Sequence, residues 1–282
     1  MSRRPALGRA SELSALPGRL GAFLRRDLLD ASSYKLSFVF SIAGILFSSA
    51  TFYFISRMIA PGTASLAAYG GDYFSFAMIG IAFSGLLGIF QEGLPSVVRS
   101  AQISGTLEAL LVTRTSMPVI LFGSSLYSLV FALLRTAVHL ALAVAVFGMK
   151  LGSVNVPALL LVLILTAVCF LSVGMLSASF LLVYKLGNPI SWLFGSVSGL
   201  LGGMLFPVSV LPPWLRGFSV FLPVTHALEG LRLSLLSSAP FARVLPSIAA
   251  LAVFAAALLP LGFWTFRLAL RKAKRDGTLT QY

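Results

Sequence analysis

The chain is poor in the groups from which soluble enzymes are built. Only 10% of its 282 residues are charged, and eight residues in all are acidic. A soluble domain carries about 25% charged residues, so there is too little polar surface here to cover a globule in water. The single cysteine, Cys169, excludes a disulfide framework and a cysteine-based metal site within the chain; it lies in an apolar run and reads as a small core residue. The two histidines, His139 and His226, stand in different segments. There is no H-E-x-x-H pair, no G-x-S-x-G elbow and no paired aspartates, which leaves no catalytic constellation. The phosphate-binding pattern G-x-x-x-x-G-K-[ST] is also missing. None of the lysines follows a glycine, so this chain cannot bind ATP through a P-loop.

What the chain has is apolar length. Hydrophobic residues make up 58% of it, and a bilayer core takes about 20 apolar residues per helix. Six stretches are long enough: Leu36 to about Met58, Tyr73 to about Leu94, Pro118 to about Met149, Ala158 to about Tyr184, Pro189 to about Phe206, and Val244 to about Leu268. The fold expected is an all-α membrane protein with six transmembrane helices. The formal charge of +13 does not imply nucleic acid as a partner. The basic residues sit at the chain ends and between apolar runs, where lipid headgroups hold them. The N-terminus does not read as a secretory signal, because the first long apolar run starts near Leu36 and is too long for one.

Three regions follow. Residues 1–35 form an N-terminal segment, 36–268 a transmembrane domain and 269–282 a basic tail. Within the first, Leu20, Phe23, Leu24 and Leu28 share a helical face, with Arg19, Arg25, Arg26 and Asp30 elsewhere and Pro17 suited to the first turn. This is an amphipathic helix, lying on the membrane surface or solvated in the cytosol. About fifteen Lys and Arg fall on the side of the two termini, the 95–117 connection and Lys185; five (Arg57, Lys150, Arg216, Arg232 and Arg243) fall on the other. Both termini are therefore expected in the cytoplasm.

Two connections are unusual. Residues 95–117 are longer than a simple link requires. The segment 207–239 is half apolar and broken by Pro207, Pro212, Pro213 and Pro223, with Trp214 suited to the interface. It reads as a re-entrant external helical hairpin before the last span, with an ordinary external loop as the other reading. Small residues recur four apart, at Gly195, Gly199 and Gly203 and at Gly80, Ser84 and Gly88. Either packing inside the subunit or a dimer seam accounts for them.

In the 95–117 connection, Ser104 or Gly105 can cap a short helix. Glu108 then falls in or beside the first turn, where the dipole favours an acid, and Leu107, Leu110 and Leu111 make an apolar face. Such a helix is either a docking knob or lies against its own bundle. Among intramembrane charges, Arg135 stands about 26 Å up the third span, with His139 one turn further on the same face. Arg135 either faces a pathway, or pairs with Glu229 of the hairpin, or snorkels to the outer headgroups. Glu92 either caps or pairs with Arg99 at the cytoplasmic interface, or helps gate the inner mouth.

The run Gly105-Thr106-Leu107-Glu108 resembles the coupling-helix segment of type-2 ABC exporter permeases. So do Phe206 to Leu215 (FPVSVLPPWL) and Leu222 to Arg232 (LPVTHALEGLR). Their order among six spans carries the resemblance over nearly the whole chain. It implies a permease subunit in the cytoplasmic (inner) membrane that moves an amphiphile (a drug, a lipid or a lipid-linked molecule) outward. It implies a second permease, identical or a sister chain, and two ATP-binding-cassette subunits gripping the short helix, from Ser104 and Gly105 through Thr106 to Leu111. ATP and magnesium would be held by those partners, and no cofactor by this chain. The hairpin would cap the exit. The rival from another class is an ion-gradient-driven secondary transporter. Against it, the clear mid-membrane ionisable pair is basic and no inverted repeat is evident.

Overall fold

The structure, a computed structural model, describes residues 35–59, 64–105, 117–185 and 187–276. The expected amphipathic helix and positions 106–111 of the docking segment lie outside the described residues. Eight α-helices follow one another: α1 (Lys35–Met58), α2 (Tyr73–Ile103), α3 (Met117–Phe147), α4 (Val156–Tyr184), α5 (Pro189–Leu201), α6 (Pro213–Ser219), α7 (Pro223–Leu235) and α8 (Phe241–Arg275). Short 3₁₀ turns occupy Ala64–Tyr69 and Val208–Val210. No strand occurs among the described residues. The chain is an all-α membrane protein, and among the described residues five helices are long and apolar enough to cross a bilayer: α1, α2, α3, α4 and α8.

The fifth expected span differs. Its helix, α5, stops at Leu201 after 13 residues, about 20 Å at 1.5 Å per residue and short of a core of about 30 Å. The cause is local. Gly203 turns the chain at φ 75°, a conformation glycine adopts without penalty. A Cβ on Gly202 would meet Val224 at 2.4 Å, so α7 also packs against this point.

Polar residues and prolines set the other ends. Asp72 caps α2 by accepting from the amides of Phe74 and Ser75. Asn155 caps α4 and Asn188 caps α5, each followed by a proline that suits a first turn. Ser104 and Gly105 close α2, with Gly105 left-handed at φ 65°.

Helix α2 runs through Pro95 and on to Ile103. A proline there deprives the Gln91 carbonyl of its helical amide. Gly174 of α4 lets the two backbones close on that spot, since a Cβ on it would stand 2.8 Å from the Gln91 oxygen. Beyond the kink, Leu94, Val98 and Ala101 bury against Met175, Ala178, Leu182 and Phe266, and that burial keeps the helix going. The main core lies where α4 packs along α2, α7 and α8, around Phe76, Ile79, Phe170, Leu228 and Leu231.

The helices expected between 207 and 239 are broken as the prolines require. Helix α7 packs against α4, α8 and α2, with Val224, Ala227, Leu228 and Leu231 fully buried. Its last residues are held by the loop before α4: the amides of Gly152 and Asn155 donate to the carbonyls of Leu235 and Ser234 at 2.9 and 3.0 Å. Its first turn lies far down α8, where the His226 ring is 5.9 Å from that of Phe254. Phe254 is 13 residues into α8, or about 20 Å. Helix α7 thus penetrates the bundle alongside the spans.

Candidate functional site

The polar groups at depth fall into two arrangements, one closed and one open. The closed one centres on Arg232 of α7. This arginine is 3% exposed. Its guanidinium donates to the carbonyls of Gly203 at 2.7 Å, Met204 at 2.8 Å and Phe76 at 3.2 and 3.3 Å. It also stacks 3.4 Å from the centre of the Phe76 ring. A planar fork with several donors can serve three carbonyls at once. One turn before it, Glu229 accepts a hydrogen bond of 2.5 Å from the Tyr69 hydroxyl. Burial, with the Glu229 charge adding to it, pushes the Tyr69 phenol well above its ordinary value. Gly80 completes the arrangement: a Cβ there would lie 1.9 Å from the Met204 oxygen and 2.9 Å from Arg232 Nη2. These contacts tie α2, the turn after α5 and α7 into one unit.

The open arrangement lies between α1, α2 and α3. A cavity of about 330 Å³ is lined by Ser48, Ser84, Arg135, Thr136 and His139, among apolar neighbours. Three helices give its depth. Arg135 is 12 residues before Phe147, Ala82 is 9 after Tyr73 and Ser48 is 10 before Met58, or about 18, 14 and 15 Å from those helix ends. That is near the middle of a core of about 30 Å. His139 is buried, with a ring nitrogen 3.3 Å from Ser49 Oγ. Thr136 donates to the Ala82 carbonyl at 3.2 Å. Arg135 is exposed, and no described residue forms a hydrogen bond or ion pair with it.

A second, wider cavity of about 700 Å³ lies between the same three helices, at the end of the bundle that carries the hairpin. Arg57 and Lys150 line it, with Tyr53, Asp72 and Tyr73. Arg57 bends back over Tyr53, donating to its hydroxyl at 2.8 Å with its guanidinium carbon 5.3 Å from the ring centre. The rings of Tyr53, Phe74 and Phe147, which line this cavity, meet with centres 5.5 to 6.0 Å apart.

The positions singled out from sequence are thus separated. Arg135 and His139 share a cavity, but Glu229 is not with them. It is engaged by Tyr69, and no pairing with Arg135 is seen. Glu92 accepts from Asn188 Nδ2 at 3.2 and 3.4 Å, so it supports the cap of α5 instead of pairing with Arg99. Pro212, Pro213 and Trp214 are exposed on the hairpin, Trp214 at 68%. Pro207 and Pro223 are buried. Ser104 and Gly105 are exposed where α2 ends, and Thr106, Leu107, Glu108, Leu110 and Leu111 lie outside the described residues.

Sequence reasoning placed Arg232 among the charges of one membrane face and missed its burial. Its neighbours carried a signal: Leu228, Leu231, Leu233 and Leu235 surround it in sequence, an apolar setting in which a lone arginine has to find carbonyls. The stripe of Gly195 and Gly199 faces open space, with nothing within 4 Å of a Cβ on either, whereas Gly80 is used inside the subunit.

A family model described as ABC-2 type transporter matches residues 20–236, the greater part of the chain. No curated protein matches it.

Proposed function

The chain belongs to the ABC-2 type transporter family, and from that premise we propose that this permease subunit works in an exporter, one of two membrane subunits driven by separate ATP-hydrolysing partners. The family match carries this reading. The sequence adds that no P-loop is present, so ATP and magnesium are held by the partner chains. The segment from Ser104 to Leu111 docks them. It follows directly on α2, a helix buried along most of its length, so a push at Gly105 is transmitted through a rigid element into the bundle.

Both termini face the cytoplasm in this reading, as the distribution of Lys and Arg favours. Helix α5 and the stretch after it then make the fifth of six crossings. The amide of Gln91 on α2 donates to the Ser191 carbonyl at 2.7 Å, while Gly80 faces Met204. The segment from 191 to 204 therefore climbs along α2 past 11 residues, about 17 Å. The cargo is an amphiphile. The hairpin of α6 and α7 lies at the exit, with Trp214, Phe218 and Phe221 exposed on its surface.

The test is purification of the tagged chain in mild detergent from its own membranes, wild type beside Glu108→Lys. A P-loop ATPase bound in stoichiometric amount to the wild type and lost from the variant is the expected result. No bound ATPase, with transport that survives ATP depletion and collapses with the ion gradient, would send the protein to the secondary transporters.

A further inference from the structure

We propose that the groove between α1, α2 and α3 is the route of an acidic headgroup, a phosphate or carboxylate carried by an amphiphile, with Arg135 as its mid-depth station and Arg57 with Lys150 as its outer one. The inference rests on the exporter reading and names the cargo class for it.

Arg135 is the first observation. An arginine near mid-bilayer is costly unless something answers its charge. Arg232, in the same chain, is answered by carbonyls of three residues and an aromatic ring. Arg135 is exposed to a cavity of about 330 Å³ and has no such partner among the described residues. Its described lining is otherwise hydroxyls, the His139 ring and apolar side chains, with no carboxylate among the described residues. Ser48 and Ser84 donate to carbonyls of their own helices, at 3.0 and 2.7 Å. Either hydroxyl can rotate to an anion instead. The group that completes this site is an anion.

The second observation is that the cationic character repeats at the outer end of α3, where Lys150 stands 15 residues past Arg135. Arg57 and Lys150 line the cavity of about 700 Å³ there. Its one acid, Asp72, is occupied: it accepts from the amides of Phe74 and Ser75 and from the Ser75 hydroxyl. The net field of the second cavity is therefore positive too. A cationic drug would be repelled at both places.

The third observation concerns the walls. On the lipid side, α1 leaves Phe47 78%, Phe54 67% and Met58 87% exposed. An acyl chain can therefore lie in lipid along α1 while the headgroup stays between the helices. The rings of Tyr53, Phe74 and Phe147 line the outer cavity and meet one another there, so the headgroup passes along them.

The experiment uses the full chain with its co-purifying partners in nanodiscs of phosphatidylcholine. It measures retention of fluorescent phosphatidylglycerol against fluorescent phosphatidylcholine, without ATP. Wild type should prefer the acidic lipid. Arg135→Gln should lower that preference by about tenfold, the scale of one hydrogen-bonded charge. Arg135→Lys should keep most of it, and the pair Arg57→Gln with Lys150→Gln should lower it as well. Arg243→Gln, which removes a cation outside the groove, should change nothing. Among the described residues nothing bonds to Arg135, so its variants should elute as wild type does. Equal retention of both lipids by wild type, or a preference untouched by the Arg135 and the Arg57–Lys150 variants, would overturn the proposal. So would displacement of the probe by inorganic phosphate as readily as by unlabelled phosphatidylglycerol, which would assign the site to a free anion. The readout needs no ATPase, so its failure and the failure of the exporter reading are seen separately.

Discussion

Removing Arg232 tests how the hairpin is held. In Arg232→Ala, the carbonyls of Gly203 and Met204 lose the hydrogen bonds that the guanidinium supplies, and among the described residues no backbone amide outside the helices donates to either. A buried carbonyl left unmet costs about 1–3 kcal/mol, so the two together cost about 2–6 kcal/mol. Loss of the stacking on Phe76 adds about 0.5–2 kcal/mol. Against this, the variant no longer has to desolvate a charge, which offsets part of the loss. A net destabilisation of about 3 kcal/mol is expected, a large share of a stability of about 5–15 kcal/mol. In detergent, with Trp192, Trp214 and Trp264 as the fluorescent reporters, the melting midpoint should fall by about 5–10 °C. Arg232→Lys should recover only part of it, because an ammonium cannot serve three carbonyls in one plane. The second arm is Gly80→Ala, whose Cβ intrudes on the Met204 oxygen and on Arg232 Nη2. Both substitutions disturb one contact set, so in combination they should fall short of additivity by about 1–2 kcal/mol. A midpoint within a degree of wild type for Arg232→Ala, or strict additivity with Gly80→Ala, would refute the assignment of Arg232 as the tie.

Four further expectations can be checked with the same melts. Gly174→Val should destabilise by about 1–3 kcal/mol, because its side chain must enter the space beside the Gln91 carbonyl. Gly195→Ala should be neutral or slightly stabilising, since nothing lies within 4 Å of the new Cβ and alanine favours helix; a loss of subunit pairing in that variant, read by light scattering, would instead put α5 in a seam. Asn188→Ala should cost about 1 kcal/mol through the lost cap of α5, and Asn188→Ser should restore most of it. Tyr69→Phe should cost about 1–3 kcal/mol, because Glu229 then loses its hydroxyl donor, while Glu229→Gln should cost less, an amide oxygen still accepting from Tyr69.

The legible part of this molecule is what one-dimensional pattern can carry. Apolar length located α1, α2, α3, α4 and α8 with starts within about three residues, because a helix in lipid must satisfy its own backbone and its apolar run is its length. Prolines marked the breaks around α6 and α7 for the same reason. Ends set by tertiary contact were less visible. Helix α2 outruns its expected end by nine residues, from Leu94 to Ile103, because its lower part buries against α4 and α8. Helix α5 falls short because Gly202 and Gly203 turn beneath Val224 and Val208. The site followed the same division. Arg135 and His139 were found because a charge within an apolar run is conspicuous wherever it points. The partner of Glu229 was not, since Tyr69 lies 160 residues away in sequence and nothing local announces it.

The contrast between the two arginines is the physical core of the functional reading. Both stand on helices within the bundle, and both would be prohibitive if left bare in hydrocarbon. The chain satisfies Arg232 completely, at the cost of a glycine at position 80 and a turn that offers two free carbonyls, and thereby makes it a fixed strut. A strut cannot exchange partners during a transport cycle without exposing those carbonyls. Arg135 is left with a cavity, rotatable hydroxyls and an opening along the least buried helix. In the proposed reading its charge is answered by a group that arrives, which is the property a transport station needs and a structural residue must avoid. Replacing Arg135 should therefore change what the protein binds while leaving its melting midpoint in place, and replacing Arg232 should do the reverse.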